Sequence, residues 1–169
     1  MTPERLPIGR IDQVCVVVRD LYRAMERYRA RLGIEPWRVY TYGPPLVKDL
    51  TYRGRPADYQ MRIALAQYGN LTFELIQPLR GPTIYHEFLE RQGEGIHHFG
   101  VFVPSFDEAV AAARAAGFEI IQSGRGFGVH GDGGYAYLDT EAELGAIYEL
   151  IEIPSERYPP EDVYPPASS

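Results

Sequence analysis

Two stretches far apart along the chain share one pattern of apolar and polar positions. Residues 11–24 read IDQVCVVVRDLYRA, and residues 96–109 read IHHFGVFVPSFDEA. Each opens with an apolar, β-branched run that predicts a strand, and continues behind a capping residue into apolar positions at helical spacing. An ungapped alignment of the two places Gln13 on His98. The pattern therefore predicts an internal repeat in which each copy begins strand–helix.

Three further strands are predicted after each of these openings. In the first copy they are WRVYTY, YQMRIALAQY and NLTFELIQ, and in the second FEIIQS, GYAYLD and AIYELIEI. The copies also end alike, because FELIQP at 73–78 matches YELIEIP at 148–154 and aligns Glu74 with Glu149. Each copy thus follows the order βαβββ, and the predicted fold class is α+β.

The predicted domains follow from the repeat. A first βαβββ module covers 9–80, a linking helix lies within 81–95, and a second module covers 96–154. The Pro-rich tail 155–169 is expected to be extended or disordered. Residues 36–60 leave two interpretations open, a strand with a substrate-covering loop or a packed aromatic loop, since they contain Trp37, Tyr40, Tyr42, Tyr52 and Tyr59.

Composition narrows the class of protein. The net charge is −6 and no basic run is present, which argues against a nucleic-acid partner. No apolar run is long enough to span a membrane, and the N-terminus lacks the apolar core of a signal peptide. We therefore expect a cytoplasmic protein. The single cysteine, Cys15, excludes an intrachain disulfide, and its apolar strand predicts an inert core residue.

Polar side chains occupy equivalent strand positions in the two copies. By strand alternation each lies on a mostly apolar face, where an unpaired carboxylate is costly. If the modules pack around a pseudo-twofold axis, these side chains converge, and two carboxylates repel unless a cation lies between them. The side chains in question are those of Gln13, Glu74, His98 and Glu149. As a ligand set they suit Zn²⁺, Ni²⁺, Co²⁺, Mn²⁺ or Fe²⁺. Each residue alone is weak evidence, and His97, predicted to point to the opposite face, is interpreted as structural.

The chain resembles the vicinal oxygen chelate superfamily. The resemblance rests on the repeated motifs above, on GEGIHH at the fifth predicted strand, and on YELIE near the end of the second copy. That group includes glyoxalase I, methylmalonyl-CoA epimerases, extradiol dioxygenases and bleomycin-resistance proteins. The likeness is strongest to the epimerases and covers residues 9–154. It implies a cupped mixed sheet around a central site, a homodimer, and one divalent metal ion held by the same four residues.

The resemblance also has departures. Gln13 stands where the epimerases usually have histidine, and glutamine, glutamate, histidine and glutamate is the set of some glyoxalase I enzymes. The epimerases have a further glutamate base on the strand that reads QMRIALAQY here, which contains no acid. The predicted function is a metal-dependent isomerase, epimerase or lyase. It would abstract a proton next to a carbonyl through a metal-stabilised enolate, with Glu149, or Glu74, as the base.

The substrate is predicted to be a small carbonyl compound or acyl thioester of unknown identity. Candidate contacts to it are Trp37, Tyr40, Tyr59 and His130. A metal-free binding protein of the antibiotic-sequestering kind is the alternative, supported by the aromatic segment 36–60. An extradiol dioxygenase is less favoured, because its metal is held by two histidines and one carboxylate.

Overall fold

The computed structural model of the chain describes residues 5–6 and 8–167. Its helices are α1 (Leu21–Leu32), α2 (Ile84–Gln92), α3 (Phe106–Ala115) and α4 (Glu141–Leu144). Its strands are β1 (Gln13–Val17), β2 (Trp37–Tyr42), β3 (Lys48–Tyr52), β4 (Arg55–Pro56), β5 (Gln60–Tyr68), β6 (Leu71–Arg80), β7 (Gly95–Phe102), β8 (Ile120–Phe127), β9 (Gly133–Leu138), β10 (Ile147–Glu152) and β11 (Asp162–Tyr164). None of the helices in the described ranges has the length and apolar character needed to cross a membrane.

The strands form one 11-stranded mixed sheet in the order β11-β2-β5-β6-β1-β7-β10-β9-β8-β3-β4. In the first half β1 runs parallel to β6, and in the second β7 runs parallel to β10. The antiparallel pair β1–β7 joins the halves at the centre. The predicted α+β class, with its mixed sheet, is confirmed.

Each half of the sheet receives an edge strand from the other half. The β3–β4 hairpin leaves the first half and pairs through β3 with β8. In return, β11 pairs with β2. Segment 36–60 is therefore a strand followed by an exchanged hairpin. The predicted tail is extended rather than disordered at 162–164, and residues 168 and 169 lie outside the described residues.

Helices α1 and α3 begin behind capping residues, as the sequence predicts, whereas the short helix α4 was not predicted. Asp20 caps α1 by accepting a hydrogen bond from the Arg23 amide at 3.0 Å, and Gly33 ends it with φ 67°. Ser105 caps α3. Helix α1 packs on one face of the first half, over a core that includes Trp37. Helix α2 belongs to the core on the other face, which also surrounds the polar centre.

Candidate metal centre

The polar side chains predicted as metal ligands meet where β1 and β7 pair, at the middle of the sheet. The Gln13 Nε2 donates to Glu74 Oε2 at 2.9 Å and lies 3.5 Å from Glu149 Oε2. The His98 Nε2 lies 3.0 Å from Glu149 Oε2 and 3.4 Å from Glu74 Oε2. All four side chains are buried. The structure thus brings together the set that the repeat selected, and metal binding by it remains a prediction.

Strand register explains why these residues converge. Gln13 of β1 is opposite Gly100 of β7, and Gly100 is also in register with Glu149 of β10. A Cβ on residue 100 would lie 2.9 Å from both the Gln13 Cβ and the Ile151 Cδ1. Glycine at position 100 therefore leaves room for the Gln13 side chain to lie at the centre.

The two carboxylates of the centre favour a positive charge between them. Burial lowers the pKa of His98, but the carboxylates of Glu149 and Glu74 outweigh it and raise that pKa to about 9. Burial also raises the pKa of Glu149, and the charge of Glu74 adds to this, although His98 opposes both. In the cation-free protein an imidazolium thus offsets part of the negative charge of the carboxylates. A dication between them would take over this role.

The donor atoms fit a divalent cation of the borderline-to-hard kind. Although His98 Nε2 is close to both carboxylates, it makes no hydrogen bond of acceptable angle and is fully buried. A buried ring nitrogen that faces two carboxylates without a well-formed hydrogen bond suits a metal ligand. The Gln13 amide directs its NH₂ at the carboxylates, and a half-turn of the nearly isosteric amide would present its oxygen instead. One imidazole, one amide and two carboxylates therefore suit the predicted ions.

His97 lies beside the centre, contrary to the prediction that it points to the opposite face. The β1–β7 register pairs Cys15 with His98 and Val16 with Ile96, so that residue 97 is the extra residue of a β-bulge. Its Nδ1 lies 2.9 Å from the Nδ1 of His98. The bulge breaks strand alternation and brings the neighbouring rings together.

Cys15 is buried, as predicted, but it is also next to the centre. Its Sγ, a Glu74 carboxylate oxygen and a His98 ring nitrogen all lie within 4.8 Å of one another. Burial raises the pKa of the thiol well above its usual range, and the nearby carboxylates raise it further. Cys15 is therefore a neutral thiol in the cation-free protein. Its position two residues after Gln13, on the same strand face, was the signal for this placement.

Two adjoining cavities lead to the centre. An inner cavity of about 40 Å³ is lined by Gln13, Glu74 and Glu149 together with apolar and aromatic side chains. An outer cavity of about 360 Å³ lies next to it and shares part of its lining. Residues that line both are Gln13, Leu65 and Arg157. A small molecule in the outer cavity would thus reach the centre past Gln13 and Arg157.

The predicted substrate contacts divide by position. Tyr40 lines the outer cavity. Trp37 does not, because strand alternation puts it on the other face of β2, in the α1 core against Tyr28 and Phe73. The prediction that Trp37 binds substrate is therefore wrong.

Tyr59 and His130 also lie away from the cavity walls. Tyr59 is fully buried behind the inner cavity, where its hydroxyl is 2.8 Å from that of Tyr135. His130 is exposed and its Nε2 lies 3.1 Å from the Glu156 carboxylate. The structure contradicts both predicted substrate contacts. The Tyr59 ring is packed away from the cavities, and the His130 ring contacts Glu156 of the tail instead.

Other residues that line the cavities were missed by the sequence prediction. Tyr135 and Tyr137 alternate along β9 and line the inner cavity, a period-two pattern visible in GYAYLD. Arg157 comes from the tail, where no local pattern predicts a contact with the centre. Tyr42 shares the strand face of Tyr40 and accepts a hydrogen bond from Arg157 at 3.1 Å.

The comparisons with known proteins agree with this fold. An uncharacterized protein of Bacillus subtilis, YqjC, is 26% identical over 145 residues, 86% of this chain and 93% of that protein. An ethylmalonyl-CoA/methylmalonyl-CoA epimerase of Cereibacter sphaeroides is 28% identical over 148 residues, 86% of this chain and 99% of the relative. Among solved structures, a variant methylmalonyl-CoA epimerase of Streptomyces coelicolor in complex with 2-nitronate-propionyl-CoA superposes with a TM-score of 0.62. It is 23% identical, and the match covers 90% of this chain and 99% of that one.

A family model gives the assignment. Residues 12–137, well over half of the chain, match the Glyoxalase/Bleomycin resistance protein/Dioxygenase superfamily. The matched segment contains Gln13, Glu74 and His98, and Glu149 follows it on β10. The resemblance predicted from the motifs is confirmed, and the chain belongs to this superfamily.

Proposed function

We propose that this chain is a divalent-metal-dependent isomerase, epimerase or lyase that moves a proton next to a carbonyl group. The observation that carries the proposal is the pair of buried carboxylates, Glu74 and Glu149, held against His98 and Gln13 at the end of a cavity. The curated relatives named as epimerases support this class of reaction. A cytoplasmic location and a homodimer remain predictions.

The four centre residues would hold the cation through the Gln13 amide oxygen, the two carboxylates and His98 Nε2. When bound, the cation supplies Lewis acidity that stabilises negative charge as it develops on the substrate oxygen. Two carboxylates balance its charge, so that the loaded centre is nearly neutral. The buried, mostly apolar walls of the inner cavity exclude bulk water from the proton transfer.

Glu149 is proposed as the base that takes the proton. In the cation-free protein burial and the charge of Glu74 raise the pKa of Glu149, although His98 opposes both. A bound cation would lower this pKa, so the basicity of Glu149 in the loaded centre is set by burial and by the cation together. Glu74 faces the same cavity from β6 and is the candidate to hold or return a proton from the other side. In a lyase the same abstraction would precede loss of a β-substituent.

The proposed substrate is not methylmalonyl-CoA. Among the described residues that line the inner cavity, Glu74 and Glu149 are the only carboxylates. Strand β5 presents Met61, Ile63 and Leu65 there. It has no acid where the resemblance to the epimerases implies a further glutamate. A reaction that needs that additional base is therefore disfavoured, and an acidic C–H within reach of Glu149 is favoured.

Metal analysis of protein purified without chelators tests the cation. We expect about one equivalent of a divalent ion, and a higher Tm when Zn²⁺, Ni²⁺, Co²⁺ or Mn²⁺ is added to stripped protein, because ligands of the native state stabilise it. A Tm that ignores all four ions would contradict the proposal. That result would favour the metal-free binding protein, whose ligand would occupy the outer cavity.

Deuterium exchange from solvent into the α-carbon of candidate thioesters and hydroxyketones tests the proton transfer. In Glu149→Gln we expect the exchange rate to fall by about 10²–10⁴-fold, the usual contribution of a general base, while the fold is retained. The matched control is Glu143→Gln, which changes an exposed carboxylate on α4. Full exchange activity in Glu149→Gln would refute its role as the base.

A further inference from the structure

The outer cavity has an unbalanced positive charge. Arg38 and Arg157 both line it, and none of its lining residues is a carboxylate. Within residues 8–167, no ion pair involves either arginine. Most other arginines of the chain lie at the surface, but these two face a cavity that adjoins the candidate metal centre.

Arg157 is held in place from its N-terminal side. The Val129 amide donates to the Glu156 carbonyl at 2.9 Å, and the Ser155 amide donates to Asp132 Oδ2 at 3.0 Å. The Glu156 side chain is also paired with His130. The chain therefore reaches residue 157 from a fixed point on the loop before β9.

A second anchor holds the chain after Arg157. The Glu161 amide donates to the Val39 carbonyl at 2.9 Å, and the Glu161 carboxylate accepts from the Thr41 amide at 2.8 Å. Between the two anchors, the guanidinium donates to the Tyr42 hydroxyl at 3.1 Å. This single neutral contact orients the group and leaves its other N–H donors and its charge available.

Arg38 stands on the same face of β2 as Tyr40 and Tyr42, because strand side chains alternate. It is exposed at the outer side of the cavity, whereas Arg157 is half-buried and lines the inner cavity as well. The pair thus lies along the path from solvent to Glu74 and Glu149. Two cations on this path favour an anionic group that stops short of the carboxylates.

We propose that Arg157, assisted by Arg38, binds an oxyanion group of the substrate, a carboxylate or a phosphate. The guanidinium fork matches the paired oxygens of either group, which an ammonium does not. The inference rests on the proposed function and extends it, since it makes the substrate a carbonyl compound that also carries an oxyanion group. Arg157 is then a specificity-determining residue contributed by the tail.

Binding of small oxyanions to stripped, metal-free protein tests the inference separately from metal and catalysis. The probes are malonate and inorganic phosphate, with neutral malonamide as the shape-matched control, measured by calorimetry at low salt. We expect at least one oxyanion to bind and malonamide not to bind. In Arg157→Met the affinity should fall by about 10-fold or more, the usual loss for a hydrogen bond to a charged group, and Arg157→Lys should restore part of it.

The matched control is Arg55→Met, which removes an exposed arginine on β4 without touching the cavity. Equal affinities in the wild type and Arg157→Met would overturn the inference, as would malonamide binding as tightly as malonate. Stronger binding of malonate indicates a carboxylate substrate, and stronger binding of phosphate a phosphorylated one. A failure to bind metal would count against the proposed function alone, because these titrations contain none.

Discussion

At the scale of single residues, the two adjacent histidines of β7 decide which ring nitrogen is free. Their Nδ1 atoms are 2.9 Å apart, so one donates a proton and the other accepts it. Burial lowers the pKa of His97 well below its usual range, and the charge of His98 lowers it further, so that His97 is neutral. With His97 as acceptor, His98 keeps its proton on Nδ1 when it loses the other, and Nε2 is left bare for a cation.

His97→Phe tests this assignment. The ring packs against Tyr85, Phe88 and Tyr137, where phenylalanine fits, so the fold should persist. We expect metal affinity, measured by chelator competition, to fall by about 10–100-fold, as for other residues that orient a ligand histidine. His130→Phe, an exposed histidine, should leave affinity unchanged, and the assignment fails if His97→Phe does so too.

Gly100 provides a second prediction at this scale. In Gly100→Ala the new Cβ would press on Gln13 and Ile151 at 2.9 Å, which should lower the free energy of unfolding by about 1–3 kcal/mol, the usual cost of overpacking. In Gly95→Ala, on the same strand, the nearest atom is 3.8 Å away. Urea unfolding of both variants provides the measurement, and equal midpoints would contradict the crowding.

The sequence predicted the four centre residues because two copies of one pattern placed polar side chains at matching strand positions. It misjudged His97, since a one-residue bulge reverses strand phase and leaves no local sign. The prediction that Trp37 contacts the substrate was wrong for a related reason. An aromatic residue is equally suited to either face of β2, and only the neighbours Tyr28 and Phe73 decide between them.

At the scale of elements, Glu87 of α2 fastens the exchanged β3–β4 hairpin. Its carboxylate accepts hydrogen bonds from the Tyr52 hydroxyl and from the Arg53 guanidinium. Partial burial acts to raise the pKa of Glu87, but these bonds outweigh it and lower the pKa below 4.5. The folded protein therefore binds this proton less readily than the unfolded chain does.

Glu87→Gln should consequently destabilise the protein at pH 7 and not in acid. A depressed pKa gives stability that is present above the unfolded value near 4.5 and is lost as the pH falls through the lower, folded value. Because the pair is partly exposed, the expected loss at pH 7 is less than about 1 kcal/mol. Urea unfolding at neutral and acid pH measures it, with exposed Glu90→Gln on the same helix as control. A difference from wild type that persists unchanged in acid would contradict this origin.

The strands that escaped prediction are β3, β4 and β11. They are short, and β3 and β11 each pair with a strand from the other half of the chain, so their stability comes from contacts that no local window contains. Strand β4 pairs only with β3 and therefore depends on the placement of that strand. The longer strands were predicted because their own periodicity and their flanking turns mark them. Short strands of this kind can therefore be identified only once the strands that pair with them are known.

At the scale of the whole molecule, β11 covers an edge of the sheet. A truncation after residue 160 keeps Arg157 but removes β11 and uncovers the backbone groups of β2 that pair with it. We expect self-association, because an unpaired edge strand is a template for another chain. Light scattering on a sizing column measures it, and removal of only 165–169 is the control, since β11 remains. A truncated protein with the same association state as the control would refute this role.

The exchange of edge strands also determines when each half of the sheet can be completed during synthesis. As the chain leaves the ribosome, β2 emerges long before residues 162–164, and the β3–β4 hairpin emerges long before β8. Neither half can complete its share of the sheet from its own residues. The nascent first half therefore waits with an open edge and an unplaced hairpin, which is the stage at which a chaperone or a neighbouring nascent chain competes with the native partner.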